Sequence, residues 1–246
     1  FYSLHTPVME DNASVETIAE GLEEAVFRLE KATGITLDNA RLAESCELSN
    51  EAREIAMKCN DLRLNSPPLV RGSDAVYFAS MFSQLWGKKD FVLLQKNFLE
   101  DLEKRIEKTP KTLKIEDSHR ILWLHLPPFY NSKLLDFIEV NCLAPIIFEE
   151  VNFVGWEPLS AEDPYRSLAK KLLTVGFLDP HLRVSHVINT SIKGKLNGCI
   201  LYNHMFGRCY MSDSCFIKDL REELAKAKIP LLVLDGDCID PTIDPC

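Results

Sequence analysis

The sequence contains none of the short motifs that mark the common nucleotide-binding and hydrolytic sites. It has no Gly-x-Gly-x-x-Gly, no Walker phosphate loop and no Gly-x-Ser-x-Gly, which excludes dinucleotide, P-loop and nucleophile-elbow sites of those types. Eight cysteines are present but no Cys-x-x-Cys pair, so we do not expect a self-contained zinc site. The sequence signatures of nucleotide, hydrolase and zinc sites are therefore all missing.

Long apolar runs and basic blocks are missing as well. No run of about eighteen apolar residues occurs, so no segment is expected to span a membrane. The net charge is −9 without a long Lys/Arg block, which argues against nucleic-acid binding through phosphate contacts. The chain shows neither a signal peptide nor an initiator Met. We therefore predict a reduced, intracellular protein and expect the sequence to be a piece of a longer one.

The first 112 residues are predicted to form an all-helical segment. The hydrophobic content of the whole chain, 46%, is enough for a proper core. Apolar residues recur at helical spacing after Asn12, the expected N-cap, until Gly34 ends the helix. Three more helices are predicted, near residues 38–65, 73–86 and 90–108, the first of them ended by a Pro-Pro pair.

Residues 113–246 are predicted to form an α/β domain. Short apolar runs typical of buried strands alternate there with amphipathic helices, which predicts a four-stranded parallel sheet with right-handed crossovers. We expect a doubly wound, Rossmann- or flavodoxin-like fold whose ligands bind beyond the carboxyl ends of the strands. The predicted strands lie near 120–126, 145–149, 198–203 and 230–235, and the loops converging on that edge are 125–130, 149–156, 203–213 and 235–246.

The stretch over residues 198–213 is the most informative one in the sequence. A Gly leads into a short apolar run, typical of a strand covered on both faces, and the chain then enters a polar loop that carries Cys209. Cys209 follows Arg208, and a thiol beside a cation in such a loop is a candidate reactive or metal-bound thiolate. The alternative is an inert cysteine in an ordinary loop.

Three further side chains near the predicted sheet edge are candidates for acid–base chemistry. His204 ends the third strand five residues before Cys209 and is a candidate acid/base or outer hydrogen-bond donor, with a structural role as the alternative. Glu149 and Glu150 end the second strand, where one of them is expected to transfer a proton or bind a cation. The alternative is a hydrogen-bonded carboxylate at a helix entrance. His125 is expected to be a core or rim histidine.

The eight cysteines divide into two groups by their position in the pattern. Four lie in helical stripes or in the third strand and are expected to be small core residues. The other four lie in or near the C-terminal loops, where chemistry is expected. The first group is Cys46, Cys59, Cys142 and Cys199, and the second is Cys209, Cys215, Cys238 and Cys246.

The sequence resembles the family of 2-hydroxyacyl-CoA dehydratases and benzoyl-CoA reductases, in particular their large iron–sulfur subunits. The likeness covers essentially the whole chain, with the first 112 residues resembling the helical segment between the family's two α/β domains. The stretches that carry it are 29–34 (Leu-Glu-Lys-Ala-Thr-Gly), Leu42, 50–53 (Asn-Glu-Ala-Arg), 65–72 (Asn-Ser-Pro-Pro-Leu-Val-Arg-Gly), 120–126, 148–150 (Phe-Glu-Glu), 198–210 and 229–237.

The resemblance implies that the chain is the C-terminal part of such a subunit and lacks the family's N-terminal α/β domain. The family binds a [4Fe–4S] cluster through three cysteines, and the resemblance places Cys209 at the position of one of them. The other two ligands belong to the missing domain. Because one thiolate cannot hold a cluster, we expect this chain alone to bind little iron and to be inactive.

The reaction that the resemblance implies is removal of water from a 2-hydroxyacyl-CoA thioester. The β-hydrogen is not acidic, so the family adds one electron and eliminates water through a ketyl radical, with Glu150 and His204 as our catalytic candidates. The implied partners are a homologous dehydratase subunit, an ATP-dependent activator protein and the acyl-CoA substrate, and the implied location is an anaerobic cytoplasm.

Two alternatives stay open at this point. The motifs in this part of the subunit are equally compatible with a reductase subunit for aromatic acyl-CoA of the benzoyl-CoA type. A cluster-free scaffold or interaction subunit, with Cys209 as an ordinary loop thiol, is the alternative from a different class. Iron and sulfide analysis of the full-length protein distinguishes the scaffold from the two enzymes.

Overall fold

The structure is a computed structural model of the chain. The helical segment and the sheet that the sequence predicts are both present in it, and the chain ranges that it describes cover most of each. These ranges are residues 2–7, 11–110, 119–130, 133–175, 179–204, 214–240 and 242.

Four long helices form the N-terminal part, as predicted. The first is capped by Asp11, whose carboxylate accepts from the Ser14 amide, so the prediction that Asn12 caps it is wrong by one residue. A carboxylate binds exposed helix amides at least as well as an amide side chain does. Gly34 ends this helix in the left-handed region, at φ 70°. The helices are α1 (Asn12–Thr33), α2 (Asn39–Leu64), α3 (Gly72–Phe82) and α4 (Lys89–Lys108).

The later part of the chain forms a parallel sheet with helices between its strands, which confirms the predicted α/β class. Within the described residues the sheet has four strands in the order β2-β1-β3-β4, and all neighbours are parallel. The elements are β1 (Ile121–Leu124), α5 (Leu134–Asp136), β2 (Ile146–Glu149), α6 (Pro164–Thr174), α7 (Pro180–Lys193), β3 (Gly198–His204), α8 (Ser214–Lys226) and β4 (Leu231–Gly236).

The two faces of the sheet are covered by different helices. Leu122 and Leu201 share a core with α7 and α8, whereas Trp123 and Tyr202 face α3 and α5, with their rings stacked at 5.8 Å. The connection from β1 to β2 therefore crosses one face, and the two later connections cross the other. This is the doubly wound arrangement, and its strand order reverses between β1 and β3.

The prediction that Cys142 is a buried core residue is wrong. The helix after β1 is short, since α5 runs only from Leu134 to Asp136 and continues as a π-helical turn over Phe137–Asn141. The wider turn, closed by the Cys142 amide on the Phe137 carbonyl at 3.0 Å, rotates Cys142 off the face that Ile138 buries. Cys142 is exposed, whereas the predicted burial of the other three core cysteines is confirmed for Cys46, Cys59 and Cys199.

Arg120 fixes the helical segment to the sheet. Its side chain is 1% exposed, and it donates to the carbonyls of Leu64 at 2.6 Å, Ser66 at 2.9 Å and Gly194 at 2.9 Å. These carbonyls lie at the ends of α2 and α7, where helices leave their last acceptors unpaired. One guanidinium just before β1 therefore satisfies the ends of two helices from different parts of the chain.

Apolar packing joins the two parts of the chain at further points. α1 packs against α6 through a small cluster of buried aliphatic residues, which includes Ile18 and Leu173. α3 begins at Gly72, where a side chain would collide with Ile146 of β2, so the close approach of helix and strand requires glycine. In the described ranges no helix is long and apolar enough to cross a membrane.

Candidate functional site

Two adjacent glutamates end β2 at the carboxyl edge of the sheet. Glu149 is fully buried and is held by Arg63 of α2, with one guanidinium nitrogen 2.8 Å from Oε2 and the other 2.6 Å from Oε1. Asn152 donates to the same carboxylate at 2.8 Å. Both carboxylate oxygens thus accept from protein donors, which is the arrangement of a structural ion pair.

Glu150 has its own arginine. Arg183 of α7 donates to Oε1 at 2.5 Å and to Oε2 at 2.7 Å, and both side chains are buried. Burial favours the neutral acid, but the adjacent Arg183 charge and its hydrogen bonds outweigh it and hold the pKa of Glu150 below its ordinary value. Glu150 is therefore an ionised, oriented acceptor at neutral pH.

His125 joins this cluster through its backbone. It follows β1 directly, is 1% exposed and lies in the left-handed region at φ 75°. Its backbone amide donates to Glu150 Oε2 at 2.9 Å. A non-glycine residue with this φ costs conformational energy, and such residues gather at functional sites and ligand clamps. The structure thus places His125 as a buried histidine, as the sequence predicts, and links it to Glu150.

An aromatic cavity opens beside Glu150. Its volume is about 240 Å³, and it lies between the helical segment and the carboxyl ends of β1 and β2. Glu150 and Arg183 form part of its wall, together with Lys171 of α6. The Lys171 ammonium lies over the ring of Trp156, 4.2 Å from its centroid, and 5.3 Å from that of Trp86. A concave apolar space with a few charged groups is the usual form of a small-molecule site.

The described cysteines do not gather at this edge. No group of three or more His, Cys, Asp or Glu that could hold a metal occurs in the described part of the chain. Burial raises the pKa of Cys59 and Cys238 to about 12 and that of Cys199 to about 11, so these thiols are poor thiolate ligands. The described residues by themselves therefore do not fit an iron–sulfur cluster.

The three predicted site residues differ in what the structure says of them. Glu150 is described in full. His204 is described only as the last residue of β3, paired with Gly236, and its side chain lies outside the described part. Cys209 also lies outside the described residues, so its predicted proximity to the loops 125–130 and 149–156 stays a prediction.

Sequence reasoning missed Arg63, Arg183 and Lys171. Arg63 stands between Leu62 and Leu64 at the end of an apolar seam, and Arg183 precedes Val184 in α7. A charged residue on an apolar helical stripe is a signal for a buried ion pair. The pattern does not indicate which carboxylate is the partner.

Comparison with protein families gives a match that covers nearly the whole chain. The model of 2-hydroxyglutaryl-CoA dehydratase, D-component, matches residues 1–245. A search of the curated proteins found no match. The family match spans both the helical segment and the α/β part, and it agrees with the resemblance that the sequence motifs carry. The chain belongs to the 2-hydroxyglutaryl-CoA dehydratase D-component family.

Proposed function

We propose that this chain is part of a 2-hydroxyacyl-CoA dehydratase subunit that eliminates water by a one-electron route. The observation that carries the proposal is the family match over residues 1–245, which supports a dehydratase subunit in general. The parallel sheet adds a site of the expected kind, since doubly wound sheets bind ligands beyond the carboxyl ends of their strands. Glu150 and the cavity lie at that edge.

In this proposal the residues of the chain have distinct roles. Glu150 presents an ionised carboxylate, fixed by Arg183, that orients the substrate by accepting a hydrogen bond, because its low pKa makes it a poor proton donor and only a weak base. His204 is the proposed acid/base partner at the end of β3. Cys209 is the proposed ligand of a [4Fe–4S] cluster whose other ligands come from residues outside this chain. When bound, such a cluster supplies single electrons at low potential.

The proposal includes the division of the chain and its surroundings. Residues 1–112 form the helical segment and residues 113–246 the C-terminal α/β domain. A homologous subunit pairs with this one, an ATP-dependent activator supplies the electron, and the substrate is an acyl-CoA. The location proposed for a protein with this electron transfer is an anaerobic cytoplasm.

The test compares two cysteine variants of the full-length subunit, purified without air together with its partner subunit. Cys209→Ser should lose most iron and sulfide and abolish dehydration in the presence of activator, while circular dichroism stays unchanged. Cys215→Ser is the control, because Cys215 is exposed near the start of α8, and this variant should keep both iron and turnover.

Three outcomes separate the candidate functions. Normal iron and turnover in Cys209→Ser would refute the ligand role of this cysteine. An iron-free wild-type complex would favour a scaffold subunit. Reduction of benzoyl-CoA without dehydration of any 2-hydroxyacyl-CoA would favour the reductase.

A further inference from the structure

The cavity beside Glu150 is small and aromatic. The rings that line it come from several parts of the chain and include Phe78 of α3, Trp86 between α3 and α4, and Phe153 and Trp156 after β2. Its volume of about 240 Å³ lies just below the range of about 300–1,000 Å³ that small-molecule sites occupy. A ligand that fits entirely inside is therefore smaller than a nucleotide or a coenzyme.

The charges around the cavity do not cancel. Glu150 is neutralised by its two hydrogen bonds from Arg183, which leaves the Lys171 ammonium. In the described part of the chain no carboxylate forms an ion pair with Lys171. Its recorded partners are the two indole rings of Trp86 and Trp156. Partial burial lowers the pKa of Lys171. This direction is expected for an ammonium group that loses hydrating water and gains no anionic partner.

The aromatic rings hold the Lys171 ammonium at the wall of the cavity. A cation over the face of an indole is attracted to the ring, and this attraction grows when the cation is desolvated. It leaves the positive charge in place and available to an anion. Much of the remaining wall is aromatic or aliphatic, although polar side chains such as Gln95 and Asn152 also line it. A ligand therefore gains both from the single charge and from contact with the rings.

We propose that this cavity binds a small apolar monocarboxylate, with its carboxylate on the Lys171 ammonium and its apolar group against the aromatic rings. A charge-assisted hydrogen bond to an ammonium in a poorly solvated wall favours a carboxylate over a neutral group of the same shape. A dianion would carry one more charge than the wall neutralises. The site takes a free acid. It shares Glu150 with the proposed dehydratase site, but its binding of the acid requires neither a cluster nor an electron.

The test uses phenylacetate and its neutral isostere phenylacetamide as probes of the purified protein. Binding is followed by tryptophan fluorescence, since Trp86 and Trp156 line the cavity, and by isothermal titration calorimetry. Loss of the carboxylate–ammonium hydrogen bond is expected to weaken binding about tenfold or more. Wild-type protein should therefore prefer phenylacetate to phenylacetamide by that factor.

Variants on α6 identify the group responsible for this preference. Lys171→Met keeps the aliphatic chain and removes the charge, so it should abolish the preference for phenylacetate. Lys170→Met is the matched control, because Lys170 is the adjacent lysine of the same helix and is exposed, and it should bind like wild type. Lys171→Arg keeps the charge and should retain the preference.

Two results would overturn the proposal. The first is that wild-type protein binds both probes equally or binds neither. This measurement needs no variant, so it does not depend on whether Lys171→Met folds. The other is a preference for phenylacetate that survives in Lys171→Met. Neither measurement involves iron, activator or an acyl-CoA, so failure here leaves the proposed dehydratase function untouched.

Discussion

At the scale of single residues, the consecutive glutamates after β2 show how a buried charge is made tolerable. Glu149 and Glu150 are both buried, and each is matched by one arginine from a different helix, Arg63 and Arg183. A buried charge whose partner is removed costs far more than the intact pair contributes. The two pairs therefore fix α2 and α7 against the sheet edge, because neither helix can move away without exposing a charge to an apolar surrounding.

The pair beside the cavity gives the first prediction. Arg183→Met leaves the buried Glu150 carboxylate without its cation, and we expect it to lower the free energy of unfolding by about 3–5 kcal/mol. The double variant Glu150→Gln/Arg183→Met removes both charges and should recover most of that loss. Urea unfolding of the wild type, the two single variants and the double variant measures the coupling. A cost below about 1 kcal/mol in Arg183→Met would show that the pair is not desolvated.

The same pair predicts how stability depends on pH. The pKa of Glu150 is lower in the folded protein than in the unfolded chain, so the folded state favours the ionised form. Its contribution is complete above the unfolded value of about 4.3, decreases as the pH falls below that value, and is lost below the folded pKa. The free energy of unfolding should thus fall more between about pH 5 and about pH 3 in wild type than in Glu150→Gln/Arg183→Met. Parallel curves would contradict this.

At the scale of elements, the ends of α2 and α7 depend on one planar cation. Arg120 reaches three carbonyls because its guanidinium presents several donors in a fixed plane, and lysine cannot reproduce that geometry. The amide of Arg120 is itself bonded to the Asn197 side chain at 2.8 Å. The start of β1 and the ends of two helices are therefore held at one point.

This arrangement predicts that arginine and lysine are not interchangeable at position 120. Arg120→Lys should lower the free energy of unfolding by about 3 kcal/mol, because roughly two hydrogen bonds from a charged donor are lost and their carbonyls stay buried. Arg28→Lys is the control: Arg28 pairs with Glu24 on the exposed surface of α1, and its replacement should change stability by less than about 0.5 kcal/mol. Thermal and urea unfolding measure both. Equal effects of the two substitutions would refute the role of Arg120.

At the scale of the whole molecule, several kinds of interaction join the helical segment to the α/β part. Arg63 forms an ion pair with Glu149, and Arg120 donates to a carbonyl at the end of α2. An apolar cluster joins α1 to α6. The helical part also has an apolar core of its own, formed by α2 and α4 with the later half of α3. The connections between the two parts are buried, so separating the parts exposes unpaired charges as well as apolar surface.

We therefore expect the protein to unfold in one cooperative transition. Far-UV circular dichroism reports all the helices, while tryptophan fluorescence combines Trp86 of the helical segment with Trp123 of the sheet and Trp156 after β2. The two urea curves should coincide. The variants Trp86→Phe and Trp123→Phe, each of which removes one of the three tryptophans, serve as controls for which region gives the signal. Two separated transitions would show instead that the predicted boundary near residue 112 divides independently stable units.

Local sequence pattern was enough for the elements and for the class of fold. The apolar period of residues 12–108 predicts the four long helices, and the strands follow from short apolar runs between helices, because burial on one or both faces leaves its period in the sequence. The alternation of strand and helix also predicts a parallel sheet. The carboxyl edge was identified in the same way, since it follows from chain direction.

Tertiary structure decided which distant groups meet. Glu149 and Glu150 were visible as candidates at the end of a strand, but their partners lie 86 and 33 positions away in the sequence. Nothing in a local pattern names a partner that far along the chain. The π-helical turn that exposes Cys142 and the left-handed backbone of His125 are likewise set by packing of the surrounding elements.

The sequence by itself determined the helices, the parallel strands and the family resemblance, because each of these depends on residues that are close together in the sequence. The strand order, the arginine partners of the two glutamates and the cavity beside Lys171 were decided only in three dimensions. A cavity is the space that several elements leave between them, and its charge is a sum over side chains from all of them. Both therefore depend on how the elements pack, which no single stretch of the sequence encodes.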